Sequence, residues 1–438
     1  MKESEANLLT LSDDDLLDRL QRAAFGYFLS QYNPANGLVS DRSGNGPPCS
    51  IAAVGFALSS YPVAVERRWM TRDEAVQRTL TTLRFFLNST QSEVPDATGY
   101  KGFYYHFLDM QSGRRVWQCE LSLIDTALLL AGMLTAAAYF TGATQTESEI
   151  RQLAKALYRR VDWQWALNGK ATLSQGWKPE CGFLHYGWEG YSEASILYVL
   201  AIASPTHPIP GNSFSAWTAT YQWENLYGYD FLYAGPLFMH QFSHAWIDFR
   251  RIQDAFMREK RSDYFENSRQ AAYIQREYAL RNPHDFRGYG ENFWGLSAGD
   301  GPSPQRVRID GVDRRFYGYT ARGVPYGPDD GTIAPPASLA SIVFAPELAL
   351  ASIRHLCDRY AQVVNEYRLP SGFNPTLVPE GSQGWTSQGY IGLDQGIVLL
   401  MIENYRSEFV WNLMRNCSYI RTGLKRAGFT GGWLNNAR

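Results

Sequence analysis

The run TALLLAGMLTAAAYF at residues 126–140 decides the fold class, because it is the longest apolar stretch in the chain. Fifteen residues are too few to span a bilayer as a helix, and Glu120 and Asp125 stand directly before them. The run therefore reads as a helix buried in a protein core. Similar blocks of helical periodicity lie on both sides of it, at about 50–66, 71–90, 118–142, 146–168, 190–203, 235–256, 262–281, 337–362, 394–404 and 406–426. Near the N-terminus, Ser12 followed by Asp13, Asp14 and Asp15 marks a helix start, with a serine cap and acids at the positive end of the helix dipole. Asn33-Pro34-Ala35-Asn36-Gly37 closes that helix.

Strand signal is sparse. Residues 102–110 and 113–117 read as one small hairpin around Gln111-Ser112. Residues 282–336 carry little helical pattern, yet Tyr289, Phe293, Trp294, Phe316, Tyr317, Tyr319 and Tyr326 make them too aromatic for disorder. They read as an ordered loop over a site. Many helices joined by long loops, with no repeat of fixed period, fit an all-α toroid with the active site at one mouth. The expected organisation is one domain over residues 1–438, with residues 1–24 as an N-terminal helix packed on the barrel.

Composition narrows the function. A net charge of -2 leaves no basic footprint for nucleic acid. Thirteen Trp and twenty-seven Tyr exceed what a core needs, and their flat faces and polar tips suit sugars. The five cysteines are odd in number and contain no CxxC pair, which argues against a disulfide framework or a thiolate metal site. Residues 1–18 hold no charged segment followed by an apolar run. The expectation is a monomer without membrane association, cytoplasmic as the chain stands and periplasmic if a leader was removed.

Acids in aromatic, glycine-rich surroundings are the candidates for chemistry. Residues 182–194 (GFLHYGWEGYSEA) set Glu189 and Glu193 among Trp188 and Tyr191 before a helix. A carboxyl held against aromatic rings loses solvation, so its pKa rises and it can act as a general acid. The same two glutamates could instead only stabilise a helix start. Asp125 is costly in an apolar helix unless it is hydrogen-bonded or faces a polar cavity. Glu120 precedes it, and Asp394 stands at another loop-to-helix junction, where an ordinary helix cap is the competing reading. Glu291, Asp300, Asp329 and Asp330 add acids from the long loop, although Asp329-Asp330-Gly331 also reads as a turn. His240 and His244 have the spacing of zinc ligands, but the HExxH pattern is absent and their apolar neighbours point to a core role. Nucleotide-binding and serine-hydrolase signatures are missing, and no cofactor or metal is expected.

Several motifs together carry a family resemblance. They are residues 104–109 (YYHFLD), 120–128 (ELSLIDTAL), 188–194 (WEGYSEA), 204–208 (SPTHP), 240–244 (HQFSH), 294–302 (WGLSAGDGP), 330–335 (DGTIAP), 394–396 (DQG) and 402–406 (IENYR). The chain resembles the glucoamylase-like domain family of bacterial β-1,2-glucanases and cyclic β-1,2-glucan synthases. The resemblance implies an (α/α)6 barrel and hydrolysis of glucan, with the β-1,2-linked polymer as substrate class. It also implies that Glu193 is the catalytic glutamate and that Glu120 and Asp394 are the other essential acids. The expected reaction is inverting, with Glu193 protonating the leaving oxygen and Asp394 activating water. Glu120, Asp125, Glu291 and Asp300 would bind sugar hydroxyls, and Trp188, Tyr191 and Trp294 would stack on rings. Glu189, Asp330 and Gln395, inside the same motifs, join the substrate-binding set. A retaining transglycosylase with Glu120 as nucleophile and a non-catalytic glucan-binding protein are the alternatives.

Overall fold

Helices begin where the sequence supplies a capping oxygen. In the computed structural model, which describes residues 10–364, 366 and 368–435, Ser12 Oγ accepts the Asp15 amide at 3.1 Å and opens the helix Asp13–Ser30. The part of the expected N-terminal helix before Thr10 lies outside the described residues. Ser50, Thr71 and Thr144 cap Ile51–Glu66, Arg72–Asn88 and Gln145–Arg160 in the same way. Helix, 3-10 turns included, accounts for 47% of the described residues, which makes the fold mostly helical, as the periodicity leads one to expect.

The chain forms two compact units, each assembled from separated segments. One comprises residues 27–222, 243–264 and 407–435. Its centre is the crossing of Ile51–Glu66 with Leu123–Tyr139, two helices buried on every face over most of their length. Gly55 and Gly132 face each other there. A Cβ on either would overlap the opposing backbone, at the Leu128 and Gly55 carbonyls respectively. This unit also holds a five-stranded antiparallel sheet, in the order Gly99–Tyr100, Phe103–Tyr105, Leu121–Ser122, Gly176–Lys178, Gly182–Phe183.

The other unit comprises residues 10–26, 223–242 and 265–406, leaving out the undescribed positions 365 and 367. It contains the helices Pro346–Arg359 and Gly392–Ser407 and the aromatic segment 282–336. That segment is ordered, as expected, around a fully buried ion pair. Arg322 Nε and Nη2 reach Asp330 Oδ1 and Oδ2 at 2.7 and 2.9 Å. Trp294 is 0% exposed and packs against Leu237, Ala272, Ala279 and Ala334.

The fold departs from the sequence expectations in three places. The block at 235–256 is not a helix. It forms two 3-10 turns, Leu237–His240 and Phe242–Ala245, and then a short strand, because Gly235-Pro236 and the buried side chains that follow impose non-helical backbone. The block at 118–142 starts only at Leu123, since Leu121–Ser122 is taken up by the sheet. The hairpin turn does fall at Gln111-Ser112, where Asp109 Oδ1 accepts both amides, but its arms pair only through Leu108 and Arg115. All five cysteines are free. Among the described residues no helix is long and apolar enough to cross a membrane.

Gly132→Ala is expected to destabilise the protein. The overlap with Gly55 outweighs the gain of about 1 kcal/mol in helix propensity, and overpacking costs about 1–3 kcal/mol. Chemical denaturation reads the result, and an unchanged midpoint would mean that the two helices can part at no cost.

Candidate active site

The sheet register builds the site. Tyr104 pairs with Ser122 and Tyr105 with Leu121, so the next residues outward, His106 and Glu120, lie opposite each other. The His106 amide donates to the Glu120 carbonyl at 3.0 Å, and the side chains follow. His106 Nδ1 meets Glu120 Oε1 at 2.8 Å, and its Nε2 lies 3.6 Å from Asp125 Oδ2. Asp125 is the third residue of its helix. Ser122 Oγ accepts the Asp125 amide at 3.2 Å and donates back to Asp125 Oδ2, a reciprocal cap that fixes the buried carboxylate.

Glu193 sits just before the short helix Ser195–Ala203, which has no side-chain cap. Ser243 takes over at this end. Its Oγ donates to the Glu193 carbonyl at 2.6 Å and accepts the Ile196 amide at 3.0 Å. The Glu193 side chain is partly exposed, but its Oε2 is shut off from solvent and has no hydrogen-bond partner among the described residues.

The electrostatics separate these acids. Desolvation pushes Glu193 up to about 7; its own backbone amide opposes the rise and the negative charge of Asp125 adds to it. Burial would also raise Glu120, but the hydrogen bond and charge of His106 hold it below the usual carboxylate range. His106 itself is opposed by burial, yet Asp125 and Glu120 carry it up to about 9. Near pH 7 Glu193 is thus a carboxyl poised to give a proton, within the field of Asp125, while Glu120 is a carboxylate kept ionised by the His106 imidazolium. Two carboxyl groups pushed apart in this way are the pattern of an acid paired with an anion.

His106, Glu120 and Asp125 are also the three side chains that could hold a metal, with ligand atoms within 4.8 Å of one another. A metal there would have to displace a ring proton of His106, whose Nδ1 faces Glu120 and whose Nε2 faces Asp125. His240 offers no such site. Its Nε2 lies 3.0 Å from the Ala234 carbonyl and its Nδ1 3.4 Å from Asn267, and burial pushes it down to about 4. His244 is buried against Phe249.

The remaining candidates scatter. Glu189 accepts from Thr172 Oγ1 at 3.1 Å, and the Trp188 carbonyl from the Tyr198 hydroxyl at 2.8 Å, so both stay beside Glu193 in the same stitched segment. Tyr191 packs into a ring cluster with Tyr221 and Tyr264. In the other unit, Asp394 lies in the first turn of its helix, and Gln395 is buried with its amide on the Leu369 carbonyl. Asp300 is partly buried near Ser371, and Glu291 is exposed and paired with Arg276. Two placements correct the sequence reading. Trp294 has no exposed face for a sugar, because the alanine-rich core closes around it. Asp330 spends its oxygens on Arg322 and on the Tyr317 and Thr332 amides, which makes it an anchor of the loop rather than a sugar ligand. His106 is the residue the sequence marks only as one letter of a motif. Its signal is a lone polar side chain in an aromatic strand that precedes an acid-bearing one.

The family model described as "Putative glucoamylase" matches residues 185–418, more than half of the chain. The chain belongs to the glycoamylase family. Among its relatives, the exo β-1,2-glucooligosaccharide sophorohydrolase (non-reducing end) of Parabacteroides distasonis is 28% identical over 96% of this chain. The chain spans 59% of that relative's length. A solved protein of the same glucoamylase description from Bacteroides uniformis superposes with a TM-score of 0.86 at 30% identity, covering 97% of this chain and 100% of that one. The endo-β-1,2-glucanase of Chitinophaga pinensis, solved with sophorotriose and glucose, gives 0.83 at 27% identity, with 97% and 100% covered. The fold class of this glycoamylase-family chain is accordingly the (α/α)6 barrel of these glucanases.

The charge of His106 has a stability signature. Its folded pKa lies above the unfolded value of about 6.5, so its contribution is complete below that value and is lost as pH rises towards 9. Wild-type stability should decline between pH 6.5 and 9, and His106→Gln should flatten the decline. Parallel declines in the two proteins, read by denaturant midpoints, would remove His106 as the source.

Proposed function

We propose that this protein is a glycoside hydrolase acting on β-1,2-linked glucan by an inverting reaction. The observation that carries the reading is the divergence of two acids, Glu193 raised to about 7 by burial and by Asp125, and Glu120 held below the usual carboxylate range by His106, in a chain of the glycoamylase family. The names of the relatives supply the linkage. In the reaction Glu193 gives its proton to the departing glycosidic oxygen, directly or through a sugar hydroxyl. Water adds to the anomeric carbon from the opposite face, and its proton passes to Asp394. Glu120 and Asp125 hold sugar hydroxyls and place negative charge where the oxocarbenium-like transition state develops positive charge. One domain over the whole chain carries the activity in this reading, with no cofactor.

A second reading has one observation in its favour. His106 keeps Glu120 ionised, which is what a nucleophile of a retaining enzyme needs. The anomer released first from β-1,2-glucan, read by NMR, separates the two.

Glu193→Gln keeps the shape and removes the proton, so turnover should fall by on the order of 10²–10⁴-fold while the protein stays folded. In the wild type, kcat/KM should fall above about pH 7 as Glu193 ionises. A folded variant with near-normal turnover on β-1,2-glucan would remove Glu193 as the acid. Products from β-1,2-glucan, sophorose and maltooligosaccharides, compared on one plate, test the linkage.

EDTA should leave the rate unchanged, because the proposed reaction runs on Glu193, Asp394 and Glu120 without a metal. Activity lost to EDTA and restored by zinc would reverse that assignment.

A further inference from the structure

Trp117 and Gln118 occupy consecutive left-handed backbone conformations, with φ of +57° and +49°. Such a conformation costs a residue with a Cβ, and a bulky aromatic there is an outlier. Strain of this kind persists where the surroundings enforce it, and it concentrates at ligand sites. Here the surroundings are the Val116 amide on the Phe107 carbonyl at 3.2 Å and the Cys119 amide on the Val116 carbonyl at 3.1 Å. The strained pair turns the Trp117 indole outward until it is 71% exposed, which works against the apolar character of the ring.

The indole has one wall and one void. Its wall is Phe107, with ring centroids 5.2 Å apart, and Phe107 in turn stacks on His106 at 3.9 Å and 12°. The ring therefore stands two ring contacts from the imidazole that holds Glu120. Its void is a cavity of about 210 Å³, lined also by Pro47, Pro48, Asp109, Gln111 and Val116. The lining combines flat apolar faces with an amide and a carboxylate, and it contains no lysine or arginine. Asp109 stays below the usual carboxylate range through the Ser112 amide and hydroxyl. Anions are disfavoured in such a place. A neutral ring with an apolar face and hydroxyl edges fits it.

We infer that Trp117 and the cavity beside it form a sugar-binding subsite, which holds a neutral pyranose unit of the substrate chain away from the bond being cut. The inference rests on the glucan-hydrolase reading for the identity of that chain. The indole stacks on the apolar face of the pyranose, and Asp109 and Gln111 meet its hydroxyls. Backbone strain at Trp117 is the cost of presenting the ring.

Trp117→Gly separates ligand binding from structure, because glycine accepts a left-handed φ without penalty. The variant should be at least as stable as the wild type and should lose about tenfold in kcat/KM on polymeric β-1,2-glucan, mainly through KM, the scale of one aromatic contact. The shortest cleavable oligosaccharide should be affected less. Trp117→Phe should retain most of the activity, and Gln111→Ala, at an unstrained position, should show a smaller loss with the same dependence on chain length. If the wild type cleaves β-1,2-glucan and Trp117→Gly and Gln111→Ala match it at every length, the subsite is wrong and the hydrolase reading stands. If the wild type does not cleave that polymer, the hydrolase reading fails on its own. The subsite is then read by titrating Glu193→Gln, with and without Trp117→Gly, with neutral β-1,2-, β-1,3-, β-1,4- and α-1,4-glucans. Weaker binding of any of them on loss of the indole supports it, whereas equal affinity, or no binding to any, overturns it.

Discussion

Two glycines that leave no room for a side chain set the geometry on which the candidate site rests. Where Gly55 meets Gly132, the helices Ile51–Glu66 and Leu123–Tyr139 cross at backbone contact, and neither can rotate or slide without a clash. The second helix is thereby fixed at both its height and its turn. Its first turn carries Asp125 and its cap Ser122, and Ser122 is also the last residue of a sheet strand. Strand pairing then transmits the position to Glu120 and His106. A slip of one residue between the strands would put the two side chains on opposite faces of the sheet. The acid cluster thus inherits its precision from a packing contact that contains no acid at all.

Charge at the cluster is balanced unevenly, and the imbalance is useful. Glu120 and Asp125 share one imidazolium, while Glu193 is raised chiefly by burial and further by repulsion from Asp125. The imidazolium therefore lowers one glutamate, while burial, helped by Asp125, raises another. Neither shift needs a metal or an unusual residue. It needs only that the histidine be placed on the Glu120 side, which the register of Tyr105 with Leu121 secures.

Much of this was legible in the sequence, for identifiable reasons. The cap at Ser12 follows from a side-chain oxygen placed before a periodic apolar face, and the apolar run after Asp125 could only be a core helix. The raised Glu193 followed from its aromatic, glycine-rich neighbourhood. What escaped was set by contacts distant in sequence or by turns too short for periodicity. The pairing of His106 with Glu120 depends on strands of two and three residues, below what alternation can reveal. Trp294 looked like a platform because its loop is aromatic, yet burial is decided by alanines on three other segments. A five-residue hairpin, Gln305–Ile309 with Val312–Phe316, was announced by Asp310-Gly311, whose positive φ angles are those of a type I′ turn. The charged residues on its strands masked the alternation.

The segmental make-up of each unit bears on how the chain is made. Gln21 in the first helix donates to the Leu399 carbonyl and to Glu403, 378 and 382 residues further on. A ribosome adding about 5–20 residues per second needs roughly 20–75 s to supply those acceptors. Through that interval Gln21 waits without its acceptors, on a helix whose Leu16, Leu17 and Leu20 are buried in the folded protein. This helix is therefore made long before its place exists, and vectorial synthesis gives it no head start. Such a nascent chain is a natural client for chaperones that shield apolar surface near the exit tunnel.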